Sequence, residues 1–130
     1  MYPVRRSPRL AARASARATL QSIQEALQER LEQIDQIHAV KNGWITMIMN
    51  DFLSSQSTME DLTYKLRCIM IQLPFKHSDR DLVMTLSNMF WYCNGLIRTI
   101  RGGDHRPLEE LESTTRDMLN TVDILISRVA

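Results

Sequence analysis

The stretch Leu82–Ile100, LVMTLSNMFWYCNGLIRTI, constrains the fold more than any other part of this chain. Leu82, Leu86, Met89, Cys93, Leu96 or Ile97, and Ile100 recur three and four residues apart, the spacing of one helix face. Val83, Phe90 and Ile97 add a second apolar side. A helix that is apolar nearly all round sits at the centre of a bundle, packed by several neighbours. Trp91 falls on the side away from Val83, which sends one of the adjacent aromatics towards the surface.

Little in the composition competes with a helical reading. Glycine and proline number four each, too few for a turn-rich β protein. Alternation of apolar and polar residues with period two is nowhere sustained. An apolar fraction of 44% over 130 residues fills one core. The expected fold is therefore all-α: an antiparallel bundle of four to five helices over residues 18–130, preceded by a flexible basic tail over 1–17.

The first helix is expected over Ala18–Val40, ended by Asn42-Gly43, although the Ala/Arg content from about Leu10 permits an earlier start. Leu20, Ile23, Leu27, Leu31, Ile34 and Ile37 make a narrow stripe on an otherwise very polar helix. A seam of that width packs on one neighbour, either in its own bundle or on a partner chain, and these six residues are the candidate partner interface. A short helix at Trp44–Leu53 follows, then a loop at Ser54-Ser55-Gln56. Ser57-Thr58-Met59-Glu60 matches a capping box and opens a helix to Leu73, before Pro74.

The central helix is expected to open at Ser78-Asp79-Arg80-Asp81, with a capping hydroxyl and early acids, and to close at Gly102-Gly103. Pro107 suits the first turn of the last helix, where Leu108, Leu111, Thr115, Met118, Val122, Leu125 and Val129 keep the three–four spacing.

Reactive chemistry is not signalled. His38, His77 and His105 fall in separate segments without a ligand-like pattern, so neither a metal nor another cofactor is expected. There is no nucleophile elbow, no zinc-protease motif and no phosphate-binding loop, and the acids lie on polar helix faces. The chain is read as non-enzymatic. Cys68 and Cys93 lie among apolar residues and are expected as buried, reduced thiols. The eight methionines fall mainly at or beside core positions, where they fill space; a hydrophobic groove for a partner helix is the competing reading.

Charge is uneven. Arg5, Arg6, Arg9, Arg13 and Arg17 lie in the first 17 residues without one acid; the other 11 basic residues face 15 acidic ones. Such a segment suits weak binding to phosphates or a nuclear import address. It lacks the apolar run of a secretory leader, and its Arg/Ala content also fits a mitochondrial transit peptide. Ser7-Pro8 among arginines resembles the minimal site of proline-directed kinases, which makes Ser7 the phosphorylation candidate. No membrane span is expected, since Ser87, Asn88, Asn94, Gly95 and Arg98 interrupt the most apolar run.

These features point to a small interaction or assembly subunit, self-associating or docked in a larger complex, in the nucleus or cytoplasm. A nucleic-acid-binding packaging or regulatory factor, viral or chromosomal, is the competing reading. The acidic balance outside the tail weighs against binding by the folded part.

Overall fold

The computed structural model describes residues 8–39, 54, 57, 58, 60–68, 77–101 and 106–129. It is a four-helix all-α bundle: α1 is Pro8–Ala39, α2 covers residues 60–68 with 54, 57 and 58 also helical, α3 is His77–Arg101, and α4 is Leu108–Val129. α4 packs against both α1 and α3.

Cross-helix contacts set the directions. Gln24 on α1 donates to Asp123 on α4 at 2.6 Å, and further along α1 Leu31 shares a groove with Arg116 and Leu119. Residue numbers rise on α1 as they fall on α4, so the two are antiparallel. Asp79 lies 3.9 Å from Arg128, and Tyr92 donates to Glu110, which makes α3 and α4 antiparallel as well. Asn94 donates to Glu60, while Arg67 and Ser87 line one groove, so α2 runs against α3. The topology is up-down-up-down, the arrangement that short connections favour.

Each of three helices buries a seam in three–four alternation. On α1 it is Ala16, Leu20, Ile23, Leu27, Arg30 and Ile34, with Thr19 beside it; on α3, Asp79, Val83, Leu86, Phe90, Cys93, Ile97 and Ile100, with Ser87 beside it; on α4, Leu108, Leu111, Thr115, Met118, Val122, Leu125 and Val129. An average of 3.5 residues per repeat keeps one seam facing inward along a gently supercoiled helix. α2 contributes Thr63 and Leu66. Buried hydroxyls satisfy themselves locally: Thr19, Ser87 and Thr115 donate to the carbonyls of Ser15, Val83 and Leu111, four residues back, at 2.8, 3.1 and 2.7 Å.

Phe90 is fully enclosed, as expected of the centre of α3. Phe90→Ala should lower unfolding stability by about 3–5 kcal/mol through the cavity it leaves. A urea titration giving a loss under about 1 kcal/mol would show that the core is centred elsewhere.

Several boundaries differ from the sequence reading. α1 takes in residues 8–17, two residues beyond the early start that the Ala/Arg run from Leu10 permits, and Ala16 is buried. Proline at a first-turn position and the Ala/Arg run that follows favour early initiation. The expected loop and capping box give way to helix at Ser54, Ser57 and Thr58; the Thr58 hydroxyl donates to the Ser54 carbonyl at 3.3 Å, a bond made within a helical turn. Ser78 lies inside α3, which already begins at His77, and so is not its cap. Pro107 precedes α4, and its carbonyl accepts the Leu111 amide at 2.9 Å. Cys68 is exposed rather than buried; Cys93 is buried, and both are free thiols. The expected helix at Trp44–Leu53, the helix ends at Asn42-Gly43, Leu73-Pro74 and Gly102-Gly103, and the first seven residues lie outside the described residues.

Candidate functional site

Two features stand apart from an ordinary core: an aromatic surface across α2 and α3, and an arginine inside the bundle.

α3 carries Phe90 inward, so its chain neighbour Trp91, rotated by about 100° on a helix, turns outward. Trp91 is 73% exposed and Tyr64 on α2 is 69% exposed. Both line a shallow groove of about 170 Å³ between the two helices, floored by Phe90 and Ser87. Glu60 stands at one end of this groove and Arg67 at the other. Asn94 donates to the Glu60 carboxylate and ties the two helices together at the acidic end. Met84 lies two turns before Trp91 on α3 and is 45% exposed. Gly95, one turn beyond Trp91, has open space where a side chain would project. Large aromatics are rarely left in water without a reason, and grouped ones mark an interaction surface.

Arg30 occupies a core position of the α1 seam with 0% exposure. Burial pulls its guanidinium down to about 10, with the nearby Cys93 acting in the opposite direction. Burial pushes the Cys93 thiol up to about 11, and the positive charge of Arg30 partly offsets this. At neutral pH the pair is thus a buried cation beside a protonated thiol. Cys93 is therefore a poor nucleophile, because the thiolate is the reactive form.

The proposed α1 interface is redirected by these contacts. Leu20, Ile23, Leu27 and Ile34 are fully buried inside the chain's own bundle, where α4 offers a seam that is apolar except at Thr115. Leu31 is only half-buried, beside the groove with α4; Arg30 takes the seam position expected for it. The side chain of Ile37 lies outside the described residues. Four of the six residues thus face the chain's own bundle.

Of the basic residues, Arg13 and Arg17 are exposed on α1, one turn apart. The α1 backbone also runs through position 9. Arg5, Arg6 and Ser7, the side chain of Arg9 and all three histidine side chains lie outside the described residues. Among the described residues, no group of three His, Cys, Asp or Glu side chains could hold a metal ion. No described helix is long and apolar enough to cross a membrane.

Sequence reading sent one of the adjacent aromatics of α3 to the surface without choosing between them, and it did not single out Tyr64, which lies off the apolar stripe of its helix. Arg30 was legible in principle: continuing the spacing 20, 23, 27 by three rather than four lands on it.

No protein-family model, no curated protein and no solved structure matches the chain. The class that the fold defines is a four-helix all-α bundle.

Proposed function

We propose that this protein is a non-enzymatic assembly subunit that works by protein–protein contact, self-associating or within a larger complex, in the nucleus or cytoplasm. The observation that carries this reading is the pair of exposed aromatics, Trp91 and Tyr64, set side by side on adjacent helices. Tyrosine and tryptophan are the side chains most enriched at binding hot spots. The contact surface moves from the α1 seam to the α2–α3 face, since the seam is occupied within the chain. The test is light scattering of the purified protein, alone and after co-purification from its native source. A single monomeric species in both preparations would sink the proposal.

Nuclear targeting or weak nucleic-acid binding through Arg5, Arg6, Arg9, Arg13 and Arg17 belongs to the same proposal, with Ser7 as a modification site that would lower the local charge. The exposed positions of Arg13 and Arg17 favour it. Deleting residues 1–17 would cut into α1 and remove the buried Ala16, so the informative variant replaces the five arginines by glutamine in the full chain. In a filter-binding assay the wild type should show salt-sensitive retention with a log–log slope no steeper than about −4.5, from at most five phosphate contacts. The neutralised variant should lose that retention. Unchanged retention would place binding on the bundle itself and favour the nucleic-acid-binding reading.

A further inference from the structure

The α2–α3 face is organised in a way that selects its occupant. Along α2, Glu60 and Arg67 lie two helical turns apart, about 11 Å, with Tyr64 midway between them. An acid at one end of an aromatic patch and a base at the other make the patch complementary to its own reversed copy. Along α3, Met84 and the exposed Arg98 lie equally far on either side of Trp91. The antiparallel contact of Glu60 with Asn94 places Tyr64 and Trp91 at nearly the same level of the bundle. One axis therefore serves both helices.

Building on the assembly reading above, we infer that this face pairs with a second copy of the chain, about a two-fold axis lying in the interface and crossing α2 and α3 at Tyr64 and Trp91. The rotation reverses each helix against its counterpart. Glu60 then meets Arg67 of the second copy, and Arg67 meets the second copy's Glu60, so two ion pairs form at once. Trp91 and Tyr64 meet their equivalents at the axis, where offset ring stacking is available. Met84 lies against the aliphatic stem of Arg98 of the second copy. Such an isologous contact closes at two copies and leaves no site for further growth. Glu60 can serve both partners, because a carboxylate has acceptor positions left after binding Asn94.

A partner of one charge sign would gain from only one end of this groove and be repelled by the other. A reversed copy satisfies both ends. Trp91 and Tyr64 together expose on the order of 300 Å², a central patch for an interface of about 800 Å² per partner, with the charged residues as its rim.

The test is sedimentation equilibrium of the full chain, with far-UV circular dichroism on every variant. The wild type should reach twice the chain mass of 15.1 kDa. Trp91→Glu should remain monomeric with unchanged helicity, and Tyr64→Glu should do the same. Glu60→Arg alone, or Arg67→Glu alone, should weaken dimerisation roughly tenfold or more by setting like charges together. The double variant Glu60→Arg/Arg67→Glu should recover pairing, and an equimolar mix of the two single variants should form a heterodimer.

A wild type that stays at 15.1 kDa up to about 1 mM overturns self-pairing. If that monomer still co-purifies with another chain, and Trp91→Glu abolishes the association, the assembly reading stands and only the identity of the occupant was wrong. A wild type that is monomeric and associates with no other chain sinks both. A dimer that survives Trp91→Glu, or whose charge swap fails to restore pairing, also overturns the inferred interface.

Discussion

Replacing Leu27 and Ile34 together by glutamate is expected to unfold the chain, not merely to change its oligomeric state. Both residues are fully buried on the α1 seam, inside a single chain. An ionised carboxylate placed there would be cut off from water, at an effective cost of several kilocalories per mole for each group. Protonation of the new carboxyls relieves part of that cost but leaves the lost apolar burial, about 2–5 kcal/mol for each large-to-small change in a core. Two such changes approach or exceed the 5–15 kcal/mol by which a domain of this size is stable. Far-UV circular dichroism should show loss of most helical signal at 25 °C. Intact helicity with a change in mass alone would mean that α1 is exchanged between chains and that the intramolecular packing described above is wrong.

The same double substitution separates two meanings of a narrow apolar stripe. From the residues alone, a thin seam on a polar helix fits an intramolecular edge helix and an intermolecular coil equally well, because both need one apolar line. What decides between them is whether another segment of the chain offers a matching line at the right distance. α4 does so: its seven buried residues keep strict three–four spacing from Leu108 to Val129, and α1 packs against it. The two seams were readable one by one. Their pairing is a property of the folded chain.

Other differences between sequence and structure have similar causes. The long helices were legible because their periodicity extends over five or more turns and averages out local exceptions. Boundaries were less so. Ser57-Thr58-Met59-Glu60 has the residue types of a capping box, yet hydroxyl side chains also bond backward within a helix, as Thr58 does. Residues 8–17 carry enough charge to read as tail, although alanine and arginine are good helix formers and Ala16 is small enough to pack against a neighbour. Arg30 was passed over because a hydrophobic pattern looks for the nearest apolar residue and found Leu31 one position on. The aromatic surface was only half visible: the apolar stripes leave Trp91 and Tyr64 off the inward faces of their helices, but that the two lie side by side depends on how α2 packs on α3.

Arg30→Met is expected to stabilise the bundle at pH 7 by the part of the burial penalty that the guanidinium's own contacts leave uncompensated, at most about 3 kcal/mol. Arg30 holds a seam position with no exposure, and burial pulls its guanidinium from its usual range down to about 10. A downward shift of a cation means that folding disfavours its charge; at 1.36 kcal/mol per pH unit the penalty is about 3 kcal/mol. The sign in pH follows directly. Below about pH 10 the guanidinium is protonated in both states and the penalty is felt in full. Above about pH 10 the folded protein releases its proton before the unfolded chain does, so the penalty shrinks and the advantage of the methionine variant narrows. Cys93 acts oppositely in both proteins: its thiol, pushed up to about 11 by burial, contributes stability that is present below about pH 9 and lost as pH rises through 11. Removing Arg30 takes away the charge that holds the thiol down, so Cys93 in the variant should need still higher pH to react with a small alkylating agent. Urea midpoints of the two proteins at pH 7 and pH 10.5 measure the first effect, and alkylation rates of Cys93 against pH measure the second. A methionine variant with a lower midpoint at pH 7 would show that Arg30 contributes more through its contacts in the bundle than burial of its charge takes away.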